Sequence, residues 1–217
     1  MTVTAHSSPA YFAAANASDG FYSRFPALFD PACGKWQKIY IIKGGPGTGK
    51  SGMMRKIINA AKEKGEAPFI FLLDNIEDPH NLGAIIRSAE CAGAHGVIIP
   101  KRRSVGLTAT VAKASAGAVE YMKVARVTNI NNAINELKEK GVWVYGTAAE
   151  GSIPMYKADL TGPAAIVIGN EGDGMSPLVR KNCDVMVHIP MKGQISSLNA
   201  SAAASILLYE AVRQRLG

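Results

Sequence analysis

Long apolar runs are missing from this 217-residue chain; the longest, such as residues 70–73 and 164–168, have strand length. A membrane span of about 20 apolar residues is therefore excluded. The first residues, Met1 to Ser8, lack a basic stretch followed by an apolar one, so no secretory signal is expected. Cysteine is scarce: Cys33, Cys91 and Cys183 are far apart and form no CxxC pair. They are expected to be reduced, mostly buried thiols of a cytoplasmic protein, which argues against a disulfide framework or a zinc site. Charged residues make up only 19% of the chain against 47% hydrophobic, a balance that suits a globular core. Acidic residues are the minority, leaving a net charge of +7. That excess is concentrated early: residues 1–66 hold 9 Lys/Arg against 4 Asp/Glu, whereas residues 67–217 hold 15 against 13. Charge alone thus gives little support to nucleic-acid binding, with Lys101-Arg102-Arg103 as the chief local basic cluster.

What is present divides the chain into an N-terminal segment, 1–65, and a domain, 66–217. The first holds scattered aromatics, a candidate strand over 38–43, a glycine-rich loop, and a helix with Met53, Met54, Ile57 and Ile58 at helical spacing. From Phe69 onward, candidate strands over 69–73, 96–99, 121–127, 142–146, 164–168 and 185–189 alternate with helical stretches. These run over 79–92, 108–116, 130–140, 177–182 and 198–215. Such alternation predicts an α/β fold, a parallel sheet with helices on both faces. Ligands on such sheets sit beyond the carboxyl ends of the strands. Two glycine-containing tracts fall there, Gly169-Asn-Glu-Gly-Asp-Gly174 and Pro190 to Ser197.

The early loop, Gly44 to Ser51, matches G-x-x-x-x-G-K-[ST] between a strand and a helix. Its backbone N–H groups, from Gly49 among others, could wrap a phosphate. Lys50 would add a point charge, and Ser51 could hold magnesium. Asp74, ending the run Phe69 to Leu73, has the form of the acidic partner that such a site needs. This segment resembles the beginning of a bacterial P-loop nucleotide-binding family. The resemblance implies an ATPase or nucleotide kinase with ATP at Gly49, Lys50 and Ser51. It stops after about sixty residues, however, and the strands beyond Asp74 fit another fold better.

Three later tracts belong together. The first, Asp78 to Ala89, places Asn81, Gly83 and Arg87 on a helix that opens at Pro79; Gly83 and Arg87, four apart, share a face, and the missing side chain at Gly83 is expected to leave room beside the arginine. The second is Gly169, Glu171, Gly172 and Gly174. The third runs from Ile189 to Ser201: a strand end, a loop, then a helix start rich in Ser, Asn and Ala, the shape of a backbone cradle for a small polar ligand. Taken singly, Arg87 would be a surface ion-pair partner, Glu171 a loop carboxylate, and Ser197 and Asn199 helix caps. In this order and spacing the three resemble the SpoU/TrmH family of the SPOUT superfamily, the RNA 2′-O-ribose methyltransferases, over about residues 66–217. The stretch 101–118 resembles the subgroup acting on a guanosine of large-subunit ribosomal RNA.

The resemblance implies a C-terminal trefoil knot, S-adenosylmethionine as cofactor, a homodimer, RNA as partner (ribosomal rather than transfer RNA), and no metal. By motif match, Gly169, Glu171, Gly172, Gly174, Ile189, Met191, Ser197, Leu198 and Asn199 would line the donor pocket. Arg87, Asn81, Glu171 and Asn199 would be catalytic. An arginine stays protonated in proteins, so Arg87 suits a phosphate and developing oxyanion charge better than the role of base. Family members carry a small RNA-binding domain ahead of the knotted one; here the phosphate-loop segment stands in that place. A non-catalytic RNA-binding module is the third reading. His6, His80, His95 and His188 show no ligand spacing and are taken as structural or solvent-facing.

Overall fold

The structure, a computed structural model, describes residues 50–217 apart from Glu150 and Glu171. The strand expected over 38–43, Cys33 and the loop Gly44–Gly49 lie outside the described residues, and the side chains of Lys50 and Ser51 do as well.

Among the described residues seven strands form one sheet: β1 (Phe69–Leu73), β2 (Gly96–Pro100), β3 (Val124–Val127), β4 (Trp143–Thr147), β5 (Ile153–Pro154), β6 (Ala164–Ile168) and β7 (Val185–His188). Their order is β3-β2-β1-β6-β4-β7-β5, and every pairing is parallel. The helices are α1 (Lys50–Glu63), α2 (Pro79–Cys91), α3 (Ala109–Ala114), α4 (Ile130–Glu139), α5 (Pro177–Asn182) and α6 (Ala200–Leu216).

Side chains along a strand alternate between faces. Phe69, Phe71 and Leu73 accordingly join α2, α3 and α6 in one apolar core. Ile70 and Leu72 join α1, α4 and α5 in another. A strand buried on both faces reads as a continuous apolar run, and β1, β2 and β6 are buried at every position. The apolar stripe of α1 lies against the sheet: Met54, Ile57 and Ile58 are buried, and Ile57 covers Gly96, where a Cβ would come within 2.6 Å of its Cδ1.

Some boundaries differ from the sequence reading. The strand expected from Tyr121 begins at Val124, because Ala116 and Gly117 take left-handed conformations and lead into a 3-10 turn over Ala118–Glu120. The helix expected over 108–116 is Ala109–Ala114, with Thr108 as its cap. The short strand β5 was not expected; Pro154 lacks a donor and is tolerated because β5 is an edge. Cys91 is exposed and Cys183 only partly buried, contrary to the expectation of mostly buried thiols.

Helix α6 lies beside α2. Ser88 Oγ and Ser205 Oγ are 2.8 Å apart, and Asn199 Nδ2 donates to Asn81 Oδ1 at 2.9 Å. The two contacts sit about two turns apart on each helix, so the helices run side by side in one direction. At the far end Arg215 donates to the carbonyls of Ala67, Leu160 and Gly162 and stacks 4.6 Å over the Phe69 ring. This anchors α6 at the amino ends of β1 and β6.

Candidate active site

Beyond the carboxyl ends of β4, β6 and β7 lies a cleft of about 720 Å³. Three segments build it: Thr147 at the end of β4 with Ala148 and Ala149 beyond it, Gly169–Gly174 after β6, and Ile189–Leu198 after β7. Its floor is apolar, with Ile168, Val187 and Leu207, while Met191 and Ile195 stand exposed at its side.

The loop after β6 is a tight closed turn. Asn170 N donates to Gly174 O at 3.2 Å, and Asn170 Oδ1 accepts from Gly172 N at 3.0 Å and Asp173 N at 2.7 Å. Gly174 has φ +69°, the region that favours glycine. A Cβ on Gly169 would fall 2.1 Å from the backbone carbon of Gly174, so only glycine lets the turn close. The turn is tied to β1: Asp74, 3% exposed, accepts from Ser176 N at 2.7 Å, and its own N–H donates to Ile168 O. The carboxylate that the phosphate-loop reading would assign to magnesium is thus engaged in holding the loop after β6.

The third tract feeds α6. Asn199 is its cap, with Oδ1 accepting from Ser201 N at 2.9 Å and Ala202 N at 3.3 Å. The sequence reading started this helix two residues earlier, at Leu198, whereas it begins at Ala200. Asn199 uses both ends of its amide, since its Nδ2 donates to Asn81 on α2. Asn81 is 8% exposed.

Of the expected donor-pocket residues, Gly169, Gly172, Gly174, Ile189, Met191, Ser197 and Leu198 line the cleft. Asn199 lies between the lining residues Leu198 and Ala200. Glu171 lies outside the described residues. Arg87 is exposed on α2 and lines no part of the cleft among the described residues. It sits roughly 9 Å along the helix axis from Asn81. Gly83 does not make room for Arg87: a Cβ there would meet Ala114 Cβ at 2.5 Å and Val111 O at 2.9 Å, so the missing side chain admits α3.

Sequence reasoning missed the β4 side of the cleft. Thr147, Ala148 and Ala149 enter because β4 pairs with both β6 and β7, a neighbourhood that no local pattern encodes. It also missed His188, which lines the cleft. Ser152 Oγ lies 2.9 Å from His188 Nδ1 and 2.9 Å from Ala148 O. A carbonyl cannot donate, so both contacts are hydrogen bonds only when Nδ1 carries the proton. Behind the cleft, burial first and Asp184 second push the Cys183 thiol up to about 12, which keeps it a neutral, unreactive packing group. A second cavity of about 280 Å³ opens near His95 and Tyr121; none of the motif residues lines it.

The cleft is amphipathic, with apolar side chains on the floor and backbone and small polar groups on the rim. Its volume lies in the range of about 300–1,000 Å³ usual for small-molecule sites. S-adenosylmethionine, which combines a flat apolar base with polar ribose and amino-acid ends, fits that mixture. The dense backbone of the Gly169–Gly174 turn provides a wall for a flat group.

The model of the SpoU rRNA Methylase family matches residues 68–209. A putative TrmH family tRNA/rRNA methyltransferase, YacO of Bacillus subtilis strain 168, is 54% identical over 159 residues, covering 73% of this chain and 64% of its own length. The 23S rRNA (guanosine-2′-O-)-methyltransferase RlmB of Shewanella oneidensis is 52% identical over 152 residues, 70% of this chain and 62% of its own. The chain therefore spans less than two thirds of the length of these curated relatives. The SpoU methyltransferase AviRb of Streptomyces viridochromogenes, solved in complex with the cofactor AdoMet, superposes with a TM-score of 0.66 at 35% identity, covering 70% of this chain and 59% of that one.

Proposed function

The chain belongs to the SpoU rRNA Methylase family, and on that premise we propose that it transfers a methyl group from S-adenosylmethionine to a ribose 2′-hydroxyl of RNA. The favoured target is a guanosine of large-subunit ribosomal RNA, in the cytoplasm. The observation that carries the reading is the Asn81–Asn199 hydrogen bond. It joins the first motif to the third beside a cleft whose walls are the second and third. The guanosine preference is supported by the RlmB relatives, whose names state that target.

Bound in the cleft, S-adenosylmethionine supplies an electrophilic methyl on a sulfonium. Gly169, Glu171, Gly172, Gly174, Ile189, Met191, Ser197, Leu198 and Asn199 hold it. The chain's own task is to present the ribose oxygen in line and to stabilise the charge that develops as its proton leaves. Arg87 binds the adjacent phosphate and that oxyanion. Asn81, Glu171 and Asn199 orient the ribose and the arginine. Asn199 suits this role because the helix cap and Asn81 fix both ends of its amide.

Arg87 stands away from the cleft of its own chain, and this supports a homodimer in which one protomer's Arg87 serves its partner's cleft. The same reading takes the return of the chain from β7 to α6, beside α2, as the crossing of a trefoil knot. It assigns catalysis to residues 66–217 and treats 1–65 as a preceding segment whose helix α1 packs on the sheet. With radiolabelled S-adenosylmethionine and ribosomal RNA, the full chain is expected to label RNA at ribose 2′-oxygens. Arg87→Ala should lower transfer by at least about 100-fold, a span usual for loss of a charge-stabilising group, and spare donor binding. Donor binding without any transfer to RNA would reject the reading.

A further inference from the structure

The basic turn after β2 and a half-buried arginine on β3 lie at the same end of the sheet as the cleft but belong to none of its walls. Arg102 and Arg103 are exposed. Arg103 has φ +54°, a left-handed conformation that a non-glycine residue adopts only when its surroundings impose it. Two bonds impose it here: Lys101 N donates to Val127 O at 2.8 Å, and Val105 N donates to Ile76 O at 3.0 Å. The turn is thereby braced on β3 at one end and on the β1–α2 loop at the other. That loop leads into α2 at Asn81.

Arg126 adds a second, independent observation. Its Nε is buried without a hydrogen-bond partner. The residue is half-buried, and among the described residues its guanidinium forms no ion pair. A Cβ on Gly106 would lie 3.6 Å from the guanidinium carbon, so the bare Gly106 backbone packs beside it. Holding a cation partly out of water with no counter-charge is costly. An anionic ligand with oxygens to share relieves that cost, and a phosphate matches the planar fork.

We infer that Arg102, Arg103 and Arg126 form a phosphate-binding lip that holds the RNA backbone beside the cleft, over β2 and β3. The inference rests on the proposed RNA substrate. Glu77 is exposed on the β1–α2 loop, and its charge disfavours phosphate on that side. The strand therefore runs along the β3 side, and the lip positions substrate without touching the reacting atoms.

The test is RNA affinity of the full chain as a function of salt, with a ribosomal RNA fragment as probe and donor binding measured in parallel. Each lost phosphate contact lowers the salt slope by about 0.7–0.9. The double variant Arg102→Ala/Arg103→Ala should lose nearly two contacts, weakening binding on the order of tenfold near 0.15 M salt. Arg126→Gln should lose a further contact, and Arg126→Lys should restore charge but not full affinity. Donor affinity should stay unchanged in all three. Wild-type-like affinity and slope in the double variant, alongside normal methyl transfer by the wild-type chain, would overturn the lip and leave the proposed activity standing. Failure of the wild-type chain to bind RNA would overturn both. Since Arg102 and Arg103 are surface residues, the double variant stays interpretable even where Arg126 variants fold poorly.

Discussion

Asn199 Nδ2 donates to Asn81 Oδ1 at 2.9 Å across 118 residues of sequence. The same Asn199 caps α6 through its Oδ1. One side chain thus fixes where the last helix starts and how it sits against α2. Asn199→Ala removes the cap and should cost about 1 kcal/mol of stability. Asn81→Ala should leave the cap intact but remove the acceptor to which Asn199 Nδ2 donates. In a double-mutant cycle followed by urea unfolding, the two changes should couple by about 0.5–3 kcal/mol. Strict additivity would mean that the bond contributes nothing.

Gly169→Ala should do local rather than global damage. Its Cβ would fall 2.1 Å from the Gly174 backbone, which cannot yield without opening the turn. The turn is at the surface of the cleft, so the sheet should persist by circular dichroism while donor binding is lost. Gly162→Ala is the control, because a Cβ there meets nothing within 4 Å. Equal donor affinity in both variants would show that the turn is no part of the pocket.

The sequence signalled local elements and motif residues well. The bounds of β1, β6 and α5 match the reading because each is a short run between clear turn residues. Tyr121 to Lys123 read as strand from their neighbours, but the left-handed pair Ala116-Gly117 spends those residues on a 3-10 turn and its exit. Strand order was not legible. β6 lies between β1 and β4 because both faces of its run Ala164–Ile168 need cover, and that is a property of the whole sheet. For the same reason Thr147–Ala149 and His188 were missed at the cleft. The purpose of Gly83 was misread because α3, its true neighbour, lies some thirty residues on.

His95 gives stability a pH dependence of definite sign. Phe69 N donates to His95 Nδ1 at 3.1 Å, so that nitrogen holds no proton, and Nε2–H faces Glu66 Oε2 at 3.1 Å. Burial lowers its pKa from 6.5, while Glu66 pulls the other way. Above 6.5 the ring is neutral both folded and unfolded, and its full contribution is present. As pH falls below 6.5 the unfolded chain binds a proton that the folded chain resists, so stability declines. Unfolding free energy measured between about pH 7.5 and about pH 5.5 should fall more steeply for the wild type than for His95→Gln. Parallel slopes would count against this.

The most direct measurement is calorimetric titration of the folded full-length chain with S-adenosylmethionine, run beside Mg-ATP. The account predicts saturable binding of S-adenosylmethionine at one site per chain, lost in Gly169→Ala and retained in Arg87→Ala. No S-adenosylmethionine binding by a sample shown to be folded, or binding indifferent to Gly169→Ala, would contradict it.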